Sequence, residues 1–166
     1  MVYQSTHANA ILDLNRGSFH PDGHLLALGT TTGEIQLYTV ANSEKAVTFS
    51  SSGAVASLSF SENGTWLASA AKGSSSVSIW DLRKQSVVKE IEVGSAVASV
   101  VWDYTGQFLA VGGPSCVAVQ HYSKSSKAWT EPFRKAISAN DVAWGASGLS
   151  LVALNKEGGI NVLEAV

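Results

Sequence analysis

Short apolar runs recur along the chain in a fixed order, and the order repeats four times. In each copy an aromatic residue stands four positions ahead of a glycine: Phe19 with Gly23, Phe60 with Gly64, Trp102 with Gly106 and Trp144 with Gly148. Successive glycines are 41, 42 and 42 residues apart. An apolar run follows each one: LLALG at 25–29, WLASA at 66–70, FLAVG at 108–112 and LSLVA at 149–153. About ten residues later comes an alternating run, starting at Ile35, Val77, Val117 and Ile160. A fixed spacing of this kind is the mark of a repeat architecture.

The runs are four to seven residues long and rich in β-branched or small residues, and turn residues bound them, so they predict strands rather than helices. Asp22-Gly23 and Asn63-Gly64 are strong hairpin dipeptides because both residues tolerate positive φ. Between the units lies a fourth, more polar candidate strand: KAVTF from Lys45, VVKEIEV from Val87 and KAWTEPF from Lys127. Pro132 has no N–H to give to a ladder, so its strand belongs at a sheet edge. Four strands per forty-odd residues, the polar one outermost, predict an all-β chain of about four four-stranded antiparallel propeller blades. The repeats are read at roughly 7–40, 45–82, 87–122 and 127–166, together forming one partial propeller over 1–166. No helix and no interdomain linker is predicted.

Composition narrows the picture. Of the 166 residues 45% are hydrophobic, enough for a real core, and only 14% are charged, against roughly 25% in an average globular chain. Strands buried on both faces account for that imbalance. No segment reaches the ~18 continuous apolar residues of a membrane helix, and the amino-terminal stretch lacks the pattern of a signal peptide. A net charge of −2 argues against direct nucleic-acid contact, which needs a basic excess. A single cysteine, Cys116, excludes an internal disulfide framework and a cysteine-rich zinc site.

No constellation for chemistry emerges, so no catalytic residue, metal site or cofactor is expected. His20 and His24 have i,i+4 spacing, but Pro21 and Gly23 put them in a turn rather than on one helical face, and no other ligands complete a set. Cys116 has no evident base to activate it. The serines lie in no nucleophile elbow, and both glycine-rich phosphate motifs are absent. Asn63-Gly64-Thr65 matches a glycosylation acceptor but coincides with a repeated hairpin turn. Trp102 and Trp144, at the repeated aromatic position, are expected to pack between neighbouring blades. Trp129, on the presumed edge strand, is the tryptophan kept as a surface contact.

The dipeptide Trp80-Asp81 closing the second unit, within this four-strand period, resembles the signature of the WD-repeat family of β-propellers. The corresponding places hold Tyr38-Thr39, Gln120-His121 and Leu163-Glu164, so the other copies are degenerate. The family's Gly-His pair is absent, with Ser50-Ser51 near its place, and Lys72-Gly73 stands where an aspartate would bond that histidine. The resemblance therefore implies loss of the internal hydrogen-bond network and looser loops. FHPDGHLLALGT, FSENGTWLASAAKGSSSVSIWDLRK, WDYTGQFLAVGG and SKSSKAWTEPF are further similar to the carboxy-terminal propeller of the splicing-associated U-box ubiquitin ligases.

That resemblance implies a seven-bladed domain of which these would be the last four blades. It also implies a nuclear role in pre-mRNA splicing and DNA repair, recruiting partners or substrates to a ubiquitin transferase whose U-box is absent here. A WD scaffold of an unrelated complex, with no ligase link, is the alternative. Other proteins of a splicing complex are the expected partners. The end at 160–166 reads as a natural terminus and the start at Met1 does not, so the open propeller edges are expected to self-associate. In a propeller the loops between second and third strands share one face, which would gather Thr31–Gly33, Lys72–Ser75, Gly113–Ser115 and Lys156–Gly158. Lys72, Ser74, Lys156 and Glu157 on that face, with Trp129, are the candidate partner-binding residues.

Overall fold

A computed structural model describes residues 14–146 and 148–164; the parts of the first and last repeats at 7–13 and 165–166 lie outside the described residues. The described residues form fifteen strands in four separate sheets, with no helix among them. The first sheet comprises β1 (Leu14–Phe19), β2 (Leu25–Thr30), β3 (Glu34–Thr39) and β4 (Lys45–Ser50). β5 (Val55–Phe60), β6 (Trp66–Ala71), β7 (Ser76–Asp81) and β8 (Ser86–Glu92) make the second. The third holds β9 (Ser99–Trp102), β10 (Phe108–Gly112), β11 (Val117–Ser123) and β12 (Ala128–Lys135). The last holds β13 (Asp141–Trp144), β14 (Ser150–Leu154) and β15 (Ile160–Glu164).

Every sheet is an antiparallel meander in chain order, so each strand pairs with its sequence neighbours. Three sheets have the expected four strands; the last has three among the described residues. The repeat phase also differs from the sequence reading. Each polar strand, β4, β8 or β12, pairs with the strand before it and closes the preceding sheet. A repeat drawn as 45–82 therefore spans two sheets. Sequence similarity repeats with the same period wherever the boundary is placed, and only the ladder hydrogen bonds decide which sheet owns the polar strand.

The core lies between sheets. Ala27, Ile35, Leu37 and Phe49 of the first sheet pack on Val55, Leu58, Phe60, Leu67 and Trp80 of the second. Ala68, Ala70, Val77, Ile79 and Ile91 meet Val100, Trp102, Leu109 and Val111 across the next boundary. Ala110, Val117 and Val119 meet Val142, Leu151, Ala153 and Leu163 across the last. Alternate residues of one strand thus feed two different cores: Leu67 faces backwards and Ala68 forwards. This explains the near-continuous apolar runs of the second and third strands. The outer strand β8, by contrast, is exposed at six of its seven positions.

Small residues let the sheets approach. Gly29 in β2 is buried, and a Cβ there would stand 2.7 Å from Val55 Cβ in the next sheet. Gly29→Ala is therefore expected to destabilise by about 1–3 kcal/mol through overpacking, read as a lower urea midpoint. The same change at Gly73, whose absent Cβ faces open space, leaves packing unaltered and costs only its positive φ.

The four turn glycines, Gly23, Gly64, Gly106 and Gly148, all have φ between 64° and 74°. Each later one sits against the turn of the sheet before it: Gly64 against the His20 ring, Gly106 against the Glu62–Asn63 backbone, Gly148 against Tyr104. His20 Nε2 also bonds the Gly64 carbonyl at 2.9 Å. Asn63 Oδ1 accepts the Thr65 N–H at 2.9 Å, which commits that side chain to the turn.

Candidate interaction rim

Two rims bound the sheets. One carries the loops at 31–33, 72–75, 113–116 and 155–159 together with the linkers between sheets. The other carries the glycine turns and the loops at 40–44, 82–85 and 124–127.

On the first rim, backbone hydrogen bonds tie the first three loops to the following linker, and the loop at 155–159 is closed by bonds within itself. Ser51 N–H donates to the Gly33 carbonyl at 2.7 Å, Val97 N–H to Ser74 at 2.9 Å, Val93 N–H to Ser75 at 2.8 Å, and Ala139 N–H to Gly113 at 2.8 Å. The Lys72 N–H donates to Ala54 at 2.7 Å. Lys72 and Lys156 are exposed, as is Glu157, whose N–H is held by Asn155 Oδ1 at 3.0 Å. Ser74 is half-buried with its hydroxyl 3.1 Å from that of Ser76. Lys72, Ser74, Lys156 and Glu157 thus share one end of the sheets, in the second and fourth, on hydrogen-bonded loops from which the two lysines and the glutamate are exposed. Such loops on a rigid scaffold are where binding residues concentrate.

Trp129 does not join them. Its register partner is Tyr122, beside the loop at 124–127, so it lies toward the opposite rim. There it packs against Trp66, Trp102 and Tyr122, with ring centroids 5.9, 5.9 and 5.3 Å away. Trp129 is half-buried: the edge strand exposes its backbone, and the side chain folds back over the boundary between second and third sheets while keeping part of its surface open. Between third and fourth sheets the corresponding position is a cavity of about 480 Å³, lined by Phe108, Phe133, Trp144, Leu151 and Leu163.

The hydrogen-bond network expected to be lost survives in part. Trp80 Nε1 donates to Ser69 Oγ at 2.8 Å inside the second sheet, and both residues are buried.

Several polar residues that sequence patterns did not single out organise the sheets. Ser57 Oγ accepts the Val100 N–H and Ser59 Oγ the Trp102 N–H, each at 3.0 Å, and Ser99 Oγ donates to Asp141 Oδ1 at 2.7 Å. These serines stitch the innermost strands of consecutive sheets. The 42-residue spacing of Ser57 and Ser99 was the available signal, whereas Val101 stands at the position corresponding to Ser59.

Near the third loop, Arg134 bonds Glu131 through both Nε and Nη2, at 2.6 and 2.7 Å, and Gln120 adds a bond to the same carboxylate at 2.6 Å. The Arg134 hydrogen bond, aided by Gln120, holds the Glu131 carboxyl below its ordinary range. A depressed folded-state value means stabilisation is fully present above the unfolded pKa, about 4.3, and is lost as pH falls through the folded value. Glu131→Gln is expected to lower stability near neutrality and to flatten the acid limb of the stability–pH curve, with little change at pH values where the glutamate is already protonated, measured by urea unfolding at stepped pH. On the other rim, the His24 backbone N–H and the neighbouring His20 side chain lower the Asp22 carboxyl.

Stacked antiparallel four-stranded sheets with cores between them, and loops presented at their rims, define a β-propeller scaffold for binding other proteins. The WD40 domain of anaphase-promoting complex subunit 4 is the family description that matches, over residues 18–105, and the chain belongs to the WD40-repeat family. Pre-mRNA-processing factor 19 of Schizosaccharomyces pombe is 36% identical over 129 residues, which are 77% of this chain and 26% of that protein. The small ribosomal subunit protein RACK1 of Medicago sativa is 34% identical over 80 residues, 48% of this chain and 24% of its own. Among solved structures, the Cps50 (Swd1) β-propeller domain of Myceliophteria thermophila superposes with a TM-score of 0.78 at 19% identity, covering 92% of this chain and 52% of that one. The chain therefore spans about a quarter of these curated relatives and about half of a solved propeller.

Proposed function

We propose that this chain is the partner-recruiting module of a splicing-associated U-box ubiquitin ligase, acting in the nucleus in pre-mRNA splicing. The supporting observation is the similarity to pre-mRNA-processing factor 19, which extends over 77% of the chain. The module itself carries no transfer chemistry. Its part is recognition, with Lys72, Ser74, Lys156 and Glu157 meeting a protein partner at the loop rim while backbone bonds keep the loops in place. Holding loops in their bound shape lowers the ordering cost of association. Two rim lysines favour a partner segment with acidic character.

Affinity capture from nuclear extract with quantitative mass spectrometry tests this. The expected result is enrichment of spliceosomal proteins on the wild-type chain and a loss of about tenfold with Lys72→Glu/Lys156→Glu, the size expected when paired charges at an interface are reversed. Enrichment of ribosomal small-subunit proteins instead would favour a second reading, a scaffold without a ligase link, which the similarity to RACK1 supports.

A further inference from the structure

The loop joining β7 to β8, on the rim of the glycine turns, runs into the sequence Arg83-Lys84-Gln85-Ser86, and all four residues are exposed. Ser86 is the only serine or threonine of the chain with an arginine three positions ahead; the other two arginines, Arg16 and Arg134, are followed at that distance by Phe19 and Ile137. Neither Arg83 nor Lys84 joins an ion pair, since the two ion pairs among the described residues are His20 with Asp22 and Arg134 with Glu131. The Ser86 hydroxyl has no hydrogen-bond partner among the described residues either. Two unpaired cations thus stand just ahead of a free hydroxyl in the second sheet, away from both ends of the chain.

We propose that Ser86 is a phosphorylation site for an arginine-directed protein kinase. Charge patterns beside the acceptor are how kinases tell substrates apart, and Arg83 with Lys84 fits a kinase whose substrate cleft is acidic. The backbone fits such a cleft too. Ser86 begins β8, the outer strand of its sheet, so one side of the segment pairs with no strand. Val87 and Val88 follow it at 39% and 40% exposure, so drawing residues 83–88 into an extended groove uncovers little buried apolar surface. Gln85 holds φ at 52°, a left-handed value that is strained for a residue with a side chain, and straightening the turn releases that strain. Edge segments with few buried contacts are the ones that open at least cost.

In the transfer, Ser86 Oγ attacks the γ-phosphorus of ATP. The Oγ–P bond forms as the bond from that phosphorus to the bridging oxygen breaks, its electron pair leaves with ADP, and the hydroxyl proton passes to the kinase's catalytic aspartate. Residues 81–86 then change from a net charge of +1 to about −1, because the phosphate brings −1.5 to −2. Asp81 is the ladder partner of Ser86, and its Oδ1 accepts the Arg83 and Lys84 N–H groups at 2.9 Å each. Like charges directly opposite on neighbouring strands repel, and the phosphate offers the two cations a second partner. The modification therefore loosens the hold of Asp81 on the turn and makes a basic corner of the molecule acidic.

Incubating the folded 166-residue protein with Mg²⁺, ATP and the catalytic subunit of cyclic-AMP-dependent protein kinase, read by intact and tandem mass spectrometry, decides the matter. The expected result is one phosphoryl group per chain, placed on Ser86 and absent from Ser86→Ala. Arg83→Ala is expected to lower kcat/KM by at least about tenfold, the scale of removing one member of a charge pair at an interface. Arg83 and Ser86 are both exposed, so far-UV circular dichroism of both variants should match wild type. Amide exchange at Arg83 and Lys84 is expected to accelerate in the phosphorylated chain, and unchanged exchange would overturn the loosening of the turn. Phosphate on Ser125 or Ser126 in place of Ser86, or equal uptake by Ser86→Ala, would overturn the site. A folded chain that takes no phosphate while a synthetic peptide of residues 81–90 does would overturn it as well, because the fold would then hide the serine.

Discussion

Trp102→Ala is expected to destabilise the protein by about 3–5 kcal/mol, the range for removing a large aromatic from a core. Trp102 is buried at the boundary between the second and third sheets, with Trp66 and Trp129 ring centroids 6.1 and 5.9 Å away. The cavity left would lie among groups fixed from both sides: β9 by its ladder with β10, and Trp129 by the ladder of β12. Partial collapse is then the best the site can do. For a chain of this size total stability is on the order of 5–15 kcal/mol, so the variant should lose a large share of it. Urea unfolding followed by circular dichroism measures the change. The comparison that identifies the cause is Trp102→Phe. The indole Nε1 is buried without a hydrogen-bond partner, so phenylalanine removes an unsatisfied donor while keeping most of the ring. Its cost should be well below that of alanine. Equal losses would show that the ring's packing is not what matters.

Asp103→Ala is the second large effect, at about 3 kcal/mol or more, because hydrogen bonds to a charged group contribute roughly 1.5–3 kcal/mol each. This buried carboxylate organises the third glycine turn. Its Oδ1 accepts the Gln107 and Phe108 N–H groups at 3.0 and 2.9 Å, and its Oδ2 accepts the Thr105 N–H and hydroxyl at 3.1 and 2.5 Å. Alanine strands these donors in a partly buried turn, and the turn in turn sets Gly106 against the Glu62–Asn63 backbone of the second sheet. Asp103→Asn keeps one acceptor oxygen and should recover about half of the loss. Amide exchange at Thr105, Gln107 and Phe108 is the local readout. Unchanged protection there in the alanine variant would refute the assignment.

These two residues mark the boundary of what a pattern reader can see. Trp102 was legible because it recurs: an aromatic four residues ahead of a glycine, four times over. Asp103 was not, because its counterparts are His20, Ser61 and Gly145, so no residue type recurs at that place in the turn. The exposed rim residues fall between these cases. Repeat phase alone assigned Lys72, Ser74, Lys156 and Glu157 to one end of the sheets, since loop position follows from strand order. The packing of Trp129 was not legible for a physical reason. Strand position predicts where a backbone lies, but whether a large edge side chain faces water or folds onto its neighbour depends on the gap beside it. Here Trp66 and Trp102 make that gap aromatic.

Local chemistry by itself determined the strands, their turns and their number. Alternation, β-branching and the hairpin dipeptides act within a few residues and need no partner beyond the next strand. A 42-residue period then required the units to stack, because no single unit of this composition buries both of its apolar faces. Only the tertiary structure decided which sheet owns each polar strand and which residues stitch the inner strands. Those outcomes depend on contacts some forty residues apart, such as Ser57 with Val100 and Ser99 with Asp141. The energy of each is set by distance and burial in three dimensions, quantities that the order of residues along a chain does not contain.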